Sequence, residues 1–94
     1  VIRSFADRET ELLFTEGRPS RRLPTNIQKV AVRKLQMLHA APSLKSLATP
    51  AGNRLEALRG DRAGQQSIRI NDQWRICFVW KDNHAHQVAV VDYH

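Results

Sequence analysis

The chain closes on VVDYH, where an acid, a phenol and an imidazole follow one another at Asp92, Tyr93 and His94. Each can hold or move a proton, and an imidazole titrates close enough to neutrality for His94 to serve as general acid or base. If the preceding QVAVV pairs as a strand, the run is pinned rather than frayed. Strand alternation then sends Asp92 and His94 to one face and Tyr93 to the other. Met in isolation, such a run is more often a solvated tail.

Arginine supplies the complementary chemistry, because its planar fork of donors matches phosphate oxygens. In SIRINDQWRIC, a loop at residues 71–73 sets Ile70 opposite Trp74, Arg69 opposite Arg75 and Ile68 opposite Ile76. Like charges directly opposite on a strand pair repel. The Arg69 and Arg75 pair therefore serves an anion, splays into solvent, or is separated by a two-residue turn that shifts the register. In RLEALRGDRAG, Arg59 and Arg62 flank a Gly-Asp turn, and Glu56 precedes Arg59 at a spacing where acid and base could meet. GRPSRRLP adds Arg18, Arg21 and Arg22, which suit ribosomal RNA or an acidic protein surface and would equally suit a solvated loop.

Eleven of the fifteen cationic residues are arginine, and the formal net charge is +6. That balance points to nucleic acid or an acidic partner. Ninety-four residues suffice for one modest core, so one domain is expected over 1–94. No apolar run approaches the roughly 20 residues of a membrane span. The opening VIRSFADRE mixes both charge signs and does not read as a signal peptide. The lone cysteine, Cys77, lies in the apolar run RICFVW and reads as a packed thiol of a reducing, cytoplasmic compartment. His84 and His86 stand beside a turn without further ligand-type spacing, so neither metal nor cofactor is expected.

The elements that must position these residues change character halfway along. VIRSF reads as a first strand. Asp7 then caps a helix over residues 8–16 that Gly17 ends, with Leu12 and Leu13 facing inward. A second helix opens at Thr25 and Gln28, in the T-x-x-Q spacing of a capping box. Its stripe of Ile27, Val30, Ala31, Leu35, Leu38 and Ala41 follows the helical period until Pro42. Residues 43–47 allow one short turn, and ATPAGN is loop. From Arg54 the period becomes alternating, giving strands in RLEALRG, QQSIRI, QWRICFVW and AHQVAVVDYH. Segregated helices and hairpin-linked strands imply an α+β domain, two helices packed on an antiparallel sheet of about four strands.

Taken together, the L+GDR pattern, SIRIN–QWRI–F and the closing DYH resemble the HigB-type toxins of plasmid-maintenance systems, within the RelE/ParE superfamily. The resemblance runs from IRSF to the last residue. It implies two N-terminal helices over a curved sheet and an endoribonuclease that cuts mRNA in the A site of the small ribosomal subunit. It also implies silencing by a HigA-type helix-turn-helix antitoxin, with the two proteins binding their operator DNA together. On the matching positions, Arg59 and Arg75 would neutralise phosphate charge with help from Arg62. Proton transfer would fall to His94, Asp92 or Glu56, and Tyr93 would stack a base or bond a phosphate oxygen. Some members carry histidine and lysine where this chain has Glu56 and Arg59, so a two-imidazole scheme does not fit. Rival readings are a ParE-like toxin that poisons gyrase, and an RNA-binding module without catalysis.

Overall fold

The computed structural model describes residues 1–92; Tyr93 and His94 lie outside the described residues. Two helices, α1 (Arg8–Glu16) and α2 (Thr25–Ala40), precede four strands: β1 (Glu56–Ala57), β2 (Gln66–Arg69), β3 (Trp74–Lys81) and β4 (His84–Asp92). Short 3₁₀ turns lie at Lys45–Ala48, Ala51–Asn53 and Gly60–Arg62. Neighbouring strands pair antiparallel in the order β1-β2-β3-β4. This is the α+β arrangement that the split between helical and alternating periods requires. No described helix is long and apolar enough to cross a membrane.

One apolar cluster joins the layers. Ile27, Ala31, Leu35 and Leu38 of α2 pack with Ile68, Trp74, Ile76, Phe78, Val88 and Val90 of the sheet, all buried. The side chains with opposite parity in β2 and β3 point away from this core, and they include Ser67, Arg69, Arg75 and Cys77. The hairpin between β2 and β3 takes the register read from its sequence, with Arg69 opposite Arg75 and Ile68 opposite Ile76. Asn71 fixes it: its Oδ1 accepts from the backbone N–H of Gln73 (2.9 Å) and of Trp74 (2.8 Å). The next hairpin turns at Asp82 and Asn83, whose positive φ angles of 54° and 64° suit a two-residue loop between twisted strands.

Helix α1 is capped as expected. The Asp7 carboxylate accepts from the Thr10 N–H at 2.7 Å, and Gly17 ends the helix at φ 65°. Helix α2 starts differently. Thr25 is its first helical residue and no side chain caps it. Gln28 turns back instead. Its Oε1 accepts from the Ser20 N–H (3.2 Å), and its Nε2 donates to the carbonyls of Ser20 (2.7 Å) and Leu23 (3.0 Å). Backbone groups of the connecting loop, folded against the protein around buried Ser20, took the amide that the capping box would have used.

Two expected strands shrink. VIRSF makes two isolated parallel bridges to the edge of β4, at Ile2–Ala85 and Phe5–Val88. This strap supplies backbone partners to Ala85 and Val88 on both their N–H and C=O groups. The next N–H along that edge, Val90, is met by the buried hydroxyl of Thr10 at 3.1 Å. RLEALRG keeps two paired residues, because Arg54 (φ 45°) and Gly60 (φ 65°) both leave the extended region.

Candidate functional site

Arg69 and Arg75 face each other across β2 and β3, as the hairpin register requires. The two guanidinium groups are drawn apart along the same face. Arg69 swings to the turn and pairs with Asp72. Arg75 lies across the sheet, only 9% exposed. Its Nε donates to Ser67 Oγ at 2.7 Å and its Nη2 to the Arg54 carbonyl at 2.6 Å. The Glu56 carboxylate stands 3.6 Å from the same Nη2. Opposed tethers thus relieve the like-charge contact, and the Nη1 amino group of Arg75 has no partner among the described residues.

The acid expected to meet Arg59 therefore meets Arg75, reaching across β2. The Arg59 side chain has no polar partner among the described residues, and with Glu56, Ala57 and Leu58 it lines an open depression of about 450 Å³. Half-buried Arg62 donates from Nη1 to Gln65 Oε1 at 3.3 Å. Beneath this face sits Cys77, 1% exposed. Burial pushes its thiol pKa up, against the opposing pull of Arg62 and Arg75, so it is a packed thiol rather than a nucleophile.

Asp92 is elsewhere. It pairs with Trp74, one position along β3 from Arg75 and so on the opposite face of the sheet. Gln73 Nε2 donates to its Oδ2 at 3.1 Å. Here the strand ends meet the basic loop in a cleft of about 650 Å³, with Arg21, Arg22 and Leu23 on one side and Gln73, Trp74 and Asp92 on the other. The buried indole N–H of Trp74 has no partner among the described residues.

The three loop arginines have separate fates. Arg22 spends its donors inside the fold. It reaches Glu9 (Nε, 3.1 Å), Asp7 (Nη2, 3.6 Å) and the Val90 carbonyl (Nη1, 3.3 Å). Arg18 pairs with Glu16 at 3.3 Å, both well exposed, a contact worth little. The exposed Arg21 side chain lines the cleft without a polar partner among the described residues. The Ser20 hydroxyl and then the Arg22 guanidinium hold the Glu9 carboxyl below its usual 4.5, which ties the loop to α1.

Of the expected site residues, the structure gathers Arg75, Glu56, Arg59, Arg62 and Arg69 at one side of the sheet. It separates Asp92 from them, and Tyr93 and His94 fall outside the described residues. Sequence reasoning missed Ser67, the Arg54 carbonyl and Trp74. Ser67 was findable, since the hairpin register sets it opposite Cys77 and diagonal to Arg75.

A family model for the RelE-like toxin HigB of type II toxin–antitoxin systems matches residues 3–94. Toxin HigB-1 of Vibrio cholerae is 38% identical over 81 residues, covering 86% of this chain and 85% of that protein. Endoribonuclease HigB of Proteus vulgaris is 31% identical over 94 residues, the full length of both. Among solved structures, the YoeB–YefM complex from Staphylococcus aureus matches the fold with a TM-score of 0.55 at 22% identity, covering 100% of this chain and 98% of that one. On these grounds the chain belongs to the HigB-like family, the RelE-like toxins of type II toxin–antitoxin systems.

Proposed function

We propose that this chain is a ribosome-dependent endoribonuclease that cuts translated mRNA in the A site, and that a helix-turn-helix antitoxin of the HigA type silences it. The observation that carries the reading is Arg75, a nearly buried guanidinium lying across the sheet beside Glu56, with no partner for Nη1 among the described residues. A fixed cation of that kind suits the charge that builds on phosphorus when a 2′-hydroxyl attacks. Arg59 and Arg62 would add to it. In support stands a full-length relative named an endoribonuclease.

The roles then divide. Arg75 and Arg59 neutralise the phosphorane. Glu56, half exposed at 51% and ion-paired to Arg75, is a candidate to take the 2′-hydroxyl proton. His94 and Asp92 are the candidates for protonating the 5′-oxygen, and Tyr93 for stacking a base. Asp92 lies on the other sheet face, so it would reach substrate over the sheet's end rather than from beside Arg75. A site so sparsely furnished depends on the ribosome to hold the mRNA in line. Operator DNA would be bound by the toxin–antitoxin complex rather than by the toxin.

Mapping mRNA 5′ ends after brief induction tests the proposal. Cuts confined to translated frames are expected. Intact mRNA with double-strand DNA breaks would instead mark a gyrase poison, and salt-dependent RNA binding without cuts a non-catalytic module.

A further inference from the structure

Arg75 is held by more than its neighbours in the sheet. The carbonyl it donates to belongs to Arg54, a non-glycine residue in the left-handed region at φ 45°. That conformation follows directly on Asn53, which is 0% exposed. Asn53 Nδ2 donates to the Leu47 carbonyl at 3.0 Å, and its Oδ1 accepts from Lys34 Nζ of α2. A loop between α2 and β1 is therefore pinned so that one carbonyl points at Arg75. From the other side, fully buried Ser67 offers Oγ to Nε. With Nε and Nη2 engaged, rotation of the guanidinium plane is blocked and the remaining Nη1 is fixed in direction.

We infer that Ser67 and Asn53 are positioning residues for the proposed cleavage: they clamp Arg75 so that Nη1 meets a single non-bridging phosphate oxygen in a fixed geometry. This rests on the reading that Arg75 contacts the scissile phosphate. Neither residue touches RNA. Ser67 acts through Nε, and Asn53 acts through the Arg54 carbonyl. An unclamped guanidinium would still carry its charge but would have to be ordered during the reaction, which lowers the turnover rate rather than substrate capture.

Single-turnover cleavage of mRNA on programmed ribosomes, with folding followed by circular dichroism and thermal unfolding, tests this. Ser67→Ala is expected to cut the rate constant on the order of tenfold to a hundredfold, with apparent KM for the ribosome complex unchanged. Ser67→Thr, which keeps the acceptor and suits a strand, is expected to restore the rate. Asn53→Ala is expected to show the same kcat loss. In an Arg75→Lys background, where no Nε–H exists, Ser67→Ala should cause no further loss. A folded Ser67→Ala protein cleaving at the parental rate while Arg75→Ala is inactive would overturn the clamp and leave the Arg75 reading standing. So would a threonine variant as slow as alanine, or full additivity with Arg75→Lys. An Arg75→Ala protein as active as the parent would remove the reading itself.

Discussion

Two regions carry the polar chemistry of this molecule, and they are built in opposite ways. Around Arg75, itself only 9% exposed, Nε and Nη2 each have a named acceptor, and the ion-pair partner Glu56 comes from a different strand. Around Asp92 the cleft is wide, bounded by strand ends and the basic loop, and the Arg21 side chain there has no polar partner among the described residues. Buried, satisfied networks fix direction, because any other arrangement strands a polar group. Open rims attract charge at longer range and impose little geometry. Under the proposed function, the difference would give orientation to the sheet face and capture to the rim.

Breaking the sheet face should have the largest effect. Arg75→Ala removes the donor proposed for the scissile phosphate, with an expected loss of about 10²–10³-fold in cleavage, on the order of what one such donor supplies. It also leaves the buried Ser67 hydroxyl and the part-buried Arg54 carbonyl without their donor, so a stability loss of about 1–3 kcal/mol should appear in urea unfolding. Its cross-strand partner sharpens the contrast. Arg69→Ala leaves only an exposed ion pair with Asp72 broken and should change stability by less than about 1 kcal/mol.

Thr10→Ala comes next. It leaves the Val90 N–H at the end of β4 without its acceptor and should cost about 1–3 kcal/mol. The rim should respond more gently. Arg21→Ala is expected to weaken ribosome binding only a few-fold and to reduce the log–log salt slope by roughly 0.7–0.9, with the cleavage rate constant at saturation unchanged. A fall in that rate constant would put Arg21 among the orienting groups and erase the division.

The smallest effect concerns pH. Glu9 is held below 4.5 in the folded chain by Ser20 and Arg22. Its stabilising contribution is therefore present above the unfolded value and is lost as pH falls through the lower, folded one. Glu9→Gln should make the urea midpoint fall less steeply on acidification below about pH 4.5. If parent and variant lose stability in parallel, the loop is not anchored through this carboxylate.

Much of the fold was legible because it is local. Asp7 and Gly17 bracket α1, the apolar stripe marks α2, and Asn71 with strict alternation sets the β2–β3 register. The misreadings share a cause, since each depended on a partner distant in sequence. Gln28 serves the loop at Ser20 rather than its own helix, and Ile2 and Phe5 pair with a strand more than eighty residues away. Arg75 was named from the sequence, but its connection to Glu56 needs the register of three strands at once. The placement of Asp92 opposite Trp74 likewise follows from the last hairpin's length and bulge, which composition does not encode.

The strap formed by the first residues has a consequence for the protein's behaviour in a crowded cell. Unsatisfied strand edges recruit other strands and are a common route to aggregation. On the β4 side of this sheet, residues 1–6 and the Thr10 hydroxyl occupy the positions another chain would need. The opposite border of the described sheet is β1, two residues long and too short to template much. Among the described residues, this strongly basic toxin thus presents little strand-edge backbone for self-association. Clipping the strap would be expected to raise aggregation before it touched catalysis.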